Sequence, residues 1–209
     1  MKNTKYLEFA ATSAILNGLM AWLYAFSFII LSRSLPEVGN VLSPTFFLLG
    51  GLLSTAVMVG LFTQLERTNR GYALWALVIG VVAALGTLIH GGYDLANSLQ
   101  TLDSTPAYLA SVPNPVDPRG LLSFGIMGVA ILAWSWLISQ DKRFTKGLAF
   151  LGYGLGGLLV LLYCARLAIL AASHPAVVIP AVLVGFVVFP AWQIWLGLTF
   201  WKLSQRAKA

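Results

Sequence analysis

LFTQLERTNRGYALWALVIGVVAALGTLIHGGYDLAN, residues 61–97, carries the pattern that decides the fold. It opens on a basic turn with Arg67 and Arg70, runs through an apolar stretch at roughly 72–96, and ends among His90, Asp94 and Asn97. A helix rises about 1.5 Å per residue, so about 20 apolar residues cross the roughly 30 Å hydrocarbon layer of a bilayer. Five further apolar stretches fall at roughly 8–31, 44–65, 119–139, 147–171 and 176–201. The whole chain of 209 residues is 58% hydrophobic and 10% charged, against about a quarter charged in a soluble domain. A water-facing surface of this composition has too few charges to cover its core. The expected fold is therefore all-α, a bundle of six transmembrane helices forming one domain over residues 1–209.

The basic residues orient that bundle. Lys2, Lys5, Arg67, Arg70, Lys142, Arg143, Lys146, Lys202, Arg206 and Lys208 fall at the N-terminus, in alternate gaps and at the C-terminus, whereas Arg33 and Arg119 fall on the other side and Arg166 lies within helix 5. Lys and Arg accumulate in cytoplasmic loops, so both termini are expected inside, in the cytoplasmic (inner) membrane. The net charge of +6 reports this topology and not nucleic-acid binding. The first apolar stretch is too long for a signal-peptide core and reads as a retained helix. The lone cysteine, Cys164, excludes an intrachain disulfide and a cysteine-only metal site.

The outward loop at about 97–118 contains Pro106, Pro113 and Pro115 and is long enough to act as a lid over the helix ends. Each inward-running helix is expected to begin at a residue–proline pair, Ser43-Pro44, Asp117-Pro118 and His174-Pro175, because proline fits a first turn where its missing N–H costs nothing. An offset of 76 residues aligns LFTQLERTNRGYA (61–73) with LISQDKRFTKGLA (137–149), consistent with a parallel duplication of hairpin 2–3 as hairpin 4–5 or with a shared composition of basic turns. The segments LISQDKRFTKGLAFLGYGLGGLLVL (137–161) and FPAWQIWLGLTFWKLSQR (189–206) resemble a family of bacterial six-helix integral membrane proteins with no assigned function. That resemblance covers the helix layout and the last helices, and implies fold and location only.

Ionisable residues inside a membrane are costly and mark candidate sites. His90 and Asp94 stand at i and i+4 on one face of helix 3, with Tyr93 beside them. Gly71 to His90 and Gly147 to Arg166 are both 19 residues apart, about 28 Å of helix, which puts His90 and Arg166 at one depth near the outer boundary. Tyr163 lies one turn before Arg166, and Arg119 begins helix 4 at that level. The candidate ligand site is thus His90, Tyr93, Asp94, Arg119, Tyr163 and Arg166, suited to a small anionic or lipidic ligand such as an anionic headgroup, a quinone-like ring or a small metabolite. The structural alternative is an Asp94–Arg166 pair that locks helices 3 and 5, with arginine snorkelling to the interface.

Elsewhere, Asn17 and Gln193 are expected to make interhelical hydrogen bonds, and Pro190 to kink helix 6. Within GYGLGG (152–157), Gly152 and Gly156 form a close-packing face and not a nucleotide loop. Every lysine lies at a helix end or in a tail, so no retinal Schiff base is expected in a helix core. A haem clamp by His90 and His174 is disfavoured by the turn proline after His174. No H-E-x-x-H or G-x-S-x-G motif is present, so the cofactor is left unknown and catalysis unassigned. The leading reading is a non-catalytic membrane protein, either binding a ligand at the outer pocket or serving as accessory subunit to other membrane subunits or copies of itself. The alternatives are a small proton-coupled carrier using His90 and Asp94, and an intramembrane enzyme on a lipid-like substrate with His90 as general base.

Overall fold

The structure, a computed structural model, describes residues 4–100, 114–169 and 174–208. Among these residues there is no strand, and six helices are long and apolar enough to cross a membrane: α1 Thr4–Ser34, α2 Pro36–Leu65, α3 Arg70–Gln100, α4 Pro118–Gln140, α5 Lys146–Ala168 and α6 Pro175–Lys208. The chain is an all-α, multi-pass membrane protein. Each helix packs against its neighbours in sequence, and α6 returns to α1, closing a ring. Most of the proposed lid, residues 101–113 with Pro106 and Pro113, lies outside the described residues, as does Lys2.

Many of the ring's large apolar side chains face outward, and small residues fill much of its interior. Phe9, Leu52, Val78, Phe150, Leu161 and Ile179 are each more than half exposed, while Ala10, Ala11, Ala14, Ala73, Ala76, Ala83 and Ala84 are fully buried. Lipid solvates leucine and phenylalanine as well as a protein interior does, so helices gain by letting small residues bring backbones together. A methyl group on Gly51 of α2 would stand 2.5 Å from the backbone nitrogen of Leu88 on α3. Across α4 and α5, a methyl on either Gly128 or Gly156 would stand 2.8 Å from the other's carbonyl oxygen. The expected Gly152/Gly156 packing face is therefore present, Gly152 lying against Ser135 and Trp192. Trp134 and Trp192 are buried, and the Trp134 indole N–H donates to Met58 Sδ at 3.2 Å, joining α4 to α2 at positions 76 residues apart.

Three expectations change. Ser43-Pro44 does not begin α2: the helix starts at Pro36, one residue after α1 ends, and Pro44 lies inside it. The segment 36–43 contains Glu37 and Asn40, and so falls below the apolar threshold although it is helical. Gln193 is 1% exposed, but its Oε1 has no hydrogen-bond partner among the described residues, and its Cβ instead packs near Gly18. Helix 5 ends at Ala168, inside the apolar stretch that runs on to about residue 171 in the sequence.

Other expectations hold. Asn17 donates to Ser54 Oγ at 2.9 Å between α1 and α2. Just ahead of Pro190, where a kink is expected, helix 6 carries a π-helical segment, Val184–Val188. Proline has no N–H to offer its preceding turn, and the Phe186 carbonyl accepts instead from the Trp22 indole at 2.6 Å. At the basic end, Arg143 forks onto both carboxylate oxygens of Asp141 and reaches the Gln64 carbonyl, joining the two basic turns, while Lys208 pairs with Glu8 at 2.5 Å.

Candidate functional site

The site lies at the opposite end, where α3 finishes and α4 begins. Asp117 precedes Pro118, whose fixed φ starts a short 3-10 turn, Pro118–Gly120, followed by a π-helical segment, Leu121–Ile126. The turn reverses sharply. Arg119 has φ +58° and Gly120 φ +79°, two left-handed residues in a row. For arginine this region is strained by Cβ contacts, and such strain is held only where surrounding contacts fix it. Gly120 is required twice over: besides its φ, a methyl there would meet the Phe124 ring at 2.2 Å and an Arg166 guanidinium nitrogen at 3.2 Å.

What fixes the turn is the Asp117 carboxylate, which is fully buried. One oxygen accepts from the Leu122 N–H at 2.7 Å; the other accepts from the Ser123 hydroxyl at 2.5 Å and the Ser123 N–H at 3.2 Å, and meets His90 Nδ1 at 3.0 Å. Burial alone would raise this carboxyl. The hydrogen bonds from His90, Ser123 and the two backbone N–H groups together outweigh it and hold the group below its ordinary value. Asp117 is thus both the cap of α4 and the tie between α4 and α3.

His90 is clamped on both sides. Its Nε2 lies 3.2 Å from Asp94 Oδ2, one turn along α3, and its ring meets Phe47 of α2 edge-on at 5.2 Å between centroids. Phe47 stacks on Tyr24 of α1 at 4.6 Å. Asp94 takes a second hydrogen bond from Asn114 Nδ2 at 2.8 Å, and Asn114 Oδ1 accepts from the N–H groups of Val116 and Asp117, which closes the loop end over the site. The result is a continuous chain, Asp94–His90–Asp117–Ser123, running from a carboxylate whose side chain is 44% exposed to one that is wholly buried. With both ring nitrogens on carboxylates, either the imidazole carries two N–H groups or one carboxyl carries the proton. In neither case is a ring lone pair left for a metal or haem iron.

The six sequence-derived residues divide. His90 and Asp94 are in contact. Arg166 is at the same level, its guanidinium carbon 5.4 Å from the Phe124 ring centroid, yet it makes no ion pair with Asp94; Tyr24 lies within electrostatic reach of both. Tyr163 packs its ring on Gly125 of α4, which would hold a methyl only 3.0 Å away. Arg119 lies in the strained turn beside them. Tyr93 is 37% exposed and makes no hydrogen bond or ring contact with the cluster among the described residues. His174, the cap expected before α6, accepts from the Ala176 N–H at 3.2 Å and takes no part in the cluster.

Asp117, Ser123, Asn114, Tyr24 and Phe47 were not among the expected site residues. Asp117 was visible as a capping residue before a proline, but its bond to His90 spans 27 residues and leaves no local trace. Among the described residues no group of three or more His, Cys, Asp or Glu is set to hold a metal ion. Compared with protein-family models, with curated proteins and with solved structures, the chain gives no match.

Proposed function

We propose that this protein holds a small or lipidic ligand bearing an anionic group in a polar mouth that faces outward from the cytoplasmic membrane, with both termini inside. The distribution of Lys and Arg supports that orientation, since the basic turns gather at the end opposite the mouth. The observation that carries the ligand is Arg166. Its guanidinium is seated on Phe124 and against Gly120, and it makes no hydrogen bond or ion pair among the described residues. A guanidinium has five N–H donors in a planar fork suited to carboxylate or phosphate, and it is expensive at a membrane boundary without an acceptor. Arg119 stands alongside with no partner among the described residues. An acidic group delivered by a ligand satisfies these donors, while the half-exposed Asp94 offers an acceptor to the same molecule.

Binding is favoured over catalysis by the order of the chain. The Ser123 hydroxyl donates to Asp117 and not to His90, so no histidine is placed to take its proton. The test is the double variant Asp94→Leu/Arg166→Met, purified gently and compared with the parent for co-purified small molecules by extraction and mass spectrometry. Loss of the ligand with the helical spectrum intact supports the reading, and full retention overturns it. Co-purifying polypeptides with no small molecule in the parent protein would make the chain an accessory subunit.

The graded burial along Asp94–His90–Asp117 favours one second reading, a carrier that moves a proton with its substrate. It requires substrate-linked proton uptake in liposomes that Asp94→Asn abolishes.

A further inference from the structure

A recess lies at the basic end, on the outer surface of the ring between the end of α4 and the start of α5. It is a half-open depression of about 180 Å³ lined by Ser139, Lys146, Ala149, Phe150 and Tyr153. The α5 residues stand at i, i+3, i+4 and i+7, so they form one face of the helix, and Ser139 closes it from α4. Two of its polar groups are unused. Lys146 makes no ion pair among the described residues, and the Tyr153 hydroxyl has no hydrogen bond among them. The nearby Arg143 is different, for its fork is already filled by Asp141 and Gln64. No acidic side chain lines the recess. Phe150 is 71% exposed, an aromatic ring laid open on the lipid-facing side.

We propose that this recess binds an anionic glycerophospholipid from the leaflet at the basic end, with its phosphate on Lys146, a glycerol-ester carbonyl on the Tyr153 hydroxyl and an acyl chain along Phe150. The vertical spacing fits. Lys146 and Tyr153 are seven residues apart, about 10 Å along the helix, and the headgroup region adds about 5–8 Å to each side of the hydrocarbon core. Lysine extends upward to the phosphate while the phenol meets the ester layer below it. The net negative headgroup answers a site that offers one cation and no counter-charge of its own.

The test is native mass spectrometry of the protein equilibrated with equal amounts of phosphatidylglycerol and phosphatidylcholine of identical acyl chains. The parent is expected to retain phosphatidylglycerol about fivefold over phosphatidylcholine, the scale set by one lysine near the membrane surface. Lys146→Gln brings the ratio close to one. Tyr153→Phe shortens the retention of both lipids without changing the ratio. Lys142→Gln, which removes an exposed positive charge from the same turn, leaves the ratio unchanged. No preference in the parent, or an equal effect of Lys142→Gln and Lys146→Gln, overturns the proposal in favour of a diffuse charged layer. None of these three variants touches Asp94 or Arg166, so the outcome is independent of the ligand assigned to the mouth.

Discussion

Replacing Asp117 by alanine removes one carboxylate and strands four donor contacts at once: the Leu122 N–H, the Ser123 N–H, the Ser123 hydroxyl and His90 Nδ1. Water can reach few of these, because Asp117 and Ser123 are buried. Each buried donor left without an acceptor costs about 1–3 kcal/mol. Relaxation of the Pro118–Gly120 turn recovers part of that sum, and removal of one partner from a buried pair gives about 3–5 kcal/mol in practice. The expected loss is therefore about 3–5 kcal/mol, measured by reversible unfolding in mixed micelles of mild detergent and dodecyl sulfate followed by far-ultraviolet circular dichroism. His90→Leu alone leaves Asp117 three of its four donors and should cost less, about 1–3 kcal/mol. The double variant isolates their mutual term, expected at about 1.5–3 kcal/mol for a hydrogen bond to a charged group. A coupling below about 0.5 kcal/mol, or an Asp117→Ala loss below about 1 kcal/mol, would refute the assignment of Asp117 as the tie between α3 and α4.

The same unfolding assay separates glycines by what a methyl would meet. Gly51→Ala, against the Leu88 backbone, should destabilise by about 1–3 kcal/mol, whereas Gly154→Ala, with nothing within 4 Å, should be neutral or stabilise by up to about 1 kcal/mol. Equal effects would contradict the packing of α2 on α3. At the basic end, burial raises the Asp141 carboxyl, but the hydrogen bonds and charge of Arg143 outweigh it and hold the group below its ordinary value. A carboxyl depressed in the folded state contributes stability that is complete above its unfolded value and is lost as pH falls through its folded one. The stability gap between the parent and Asp141→Asn should accordingly persist from pH 7 down to about pH 5 and shrink below about pH 4, and a gap unchanged at acid pH would remove the brace. In a Cys164→Ala background, Gln100→Cys should react with a membrane-impermeant maleimide in intact cells, and Lys142→Cys only after permeabilisation. The reverse pattern would invert the assigned orientation.

The helices were legible because the bilayer imposes a length and a polarity that sequence states directly. The basic turns at Arg67–Arg70 and Lys142–Lys146 separate α2 from α3 and α4 from α5 with little else to weigh. Their ends were less legible. Hydropathy measures depth in hydrocarbon, while a helix such as α2 continues through Glu37 and Asn40 once its backbone bonds are satisfied. Half of the site was readable for the same local reason: His90 and Asp94 are one helical turn apart, and residue counting from the two basic turns put Arg166 at their level. The other half depends on helix rotation and on the path of the loop. Nothing near Asp117 in sequence says that it faces His90 and not solvent, and nothing near Arg166 says that Phe124 takes it in place of Asp94. Gln193 shows the converse limit, since a buried amide in a helix does not guarantee a partner across the interface.

Native mass spectrometry of the unmodified protein, extracted gently from its own membrane, tests the claim that the mouth is a ligand site. A retained mass of a few hundred daltons, containing an acidic group by fragmentation and absent from Arg166→Met, is the predicted result. A Lys146→Gln protein at the bare polypeptide mass, or one whose remaining excess Arg166→Met leaves untouched, would contradict it and make the cluster a lock between α3 and α4.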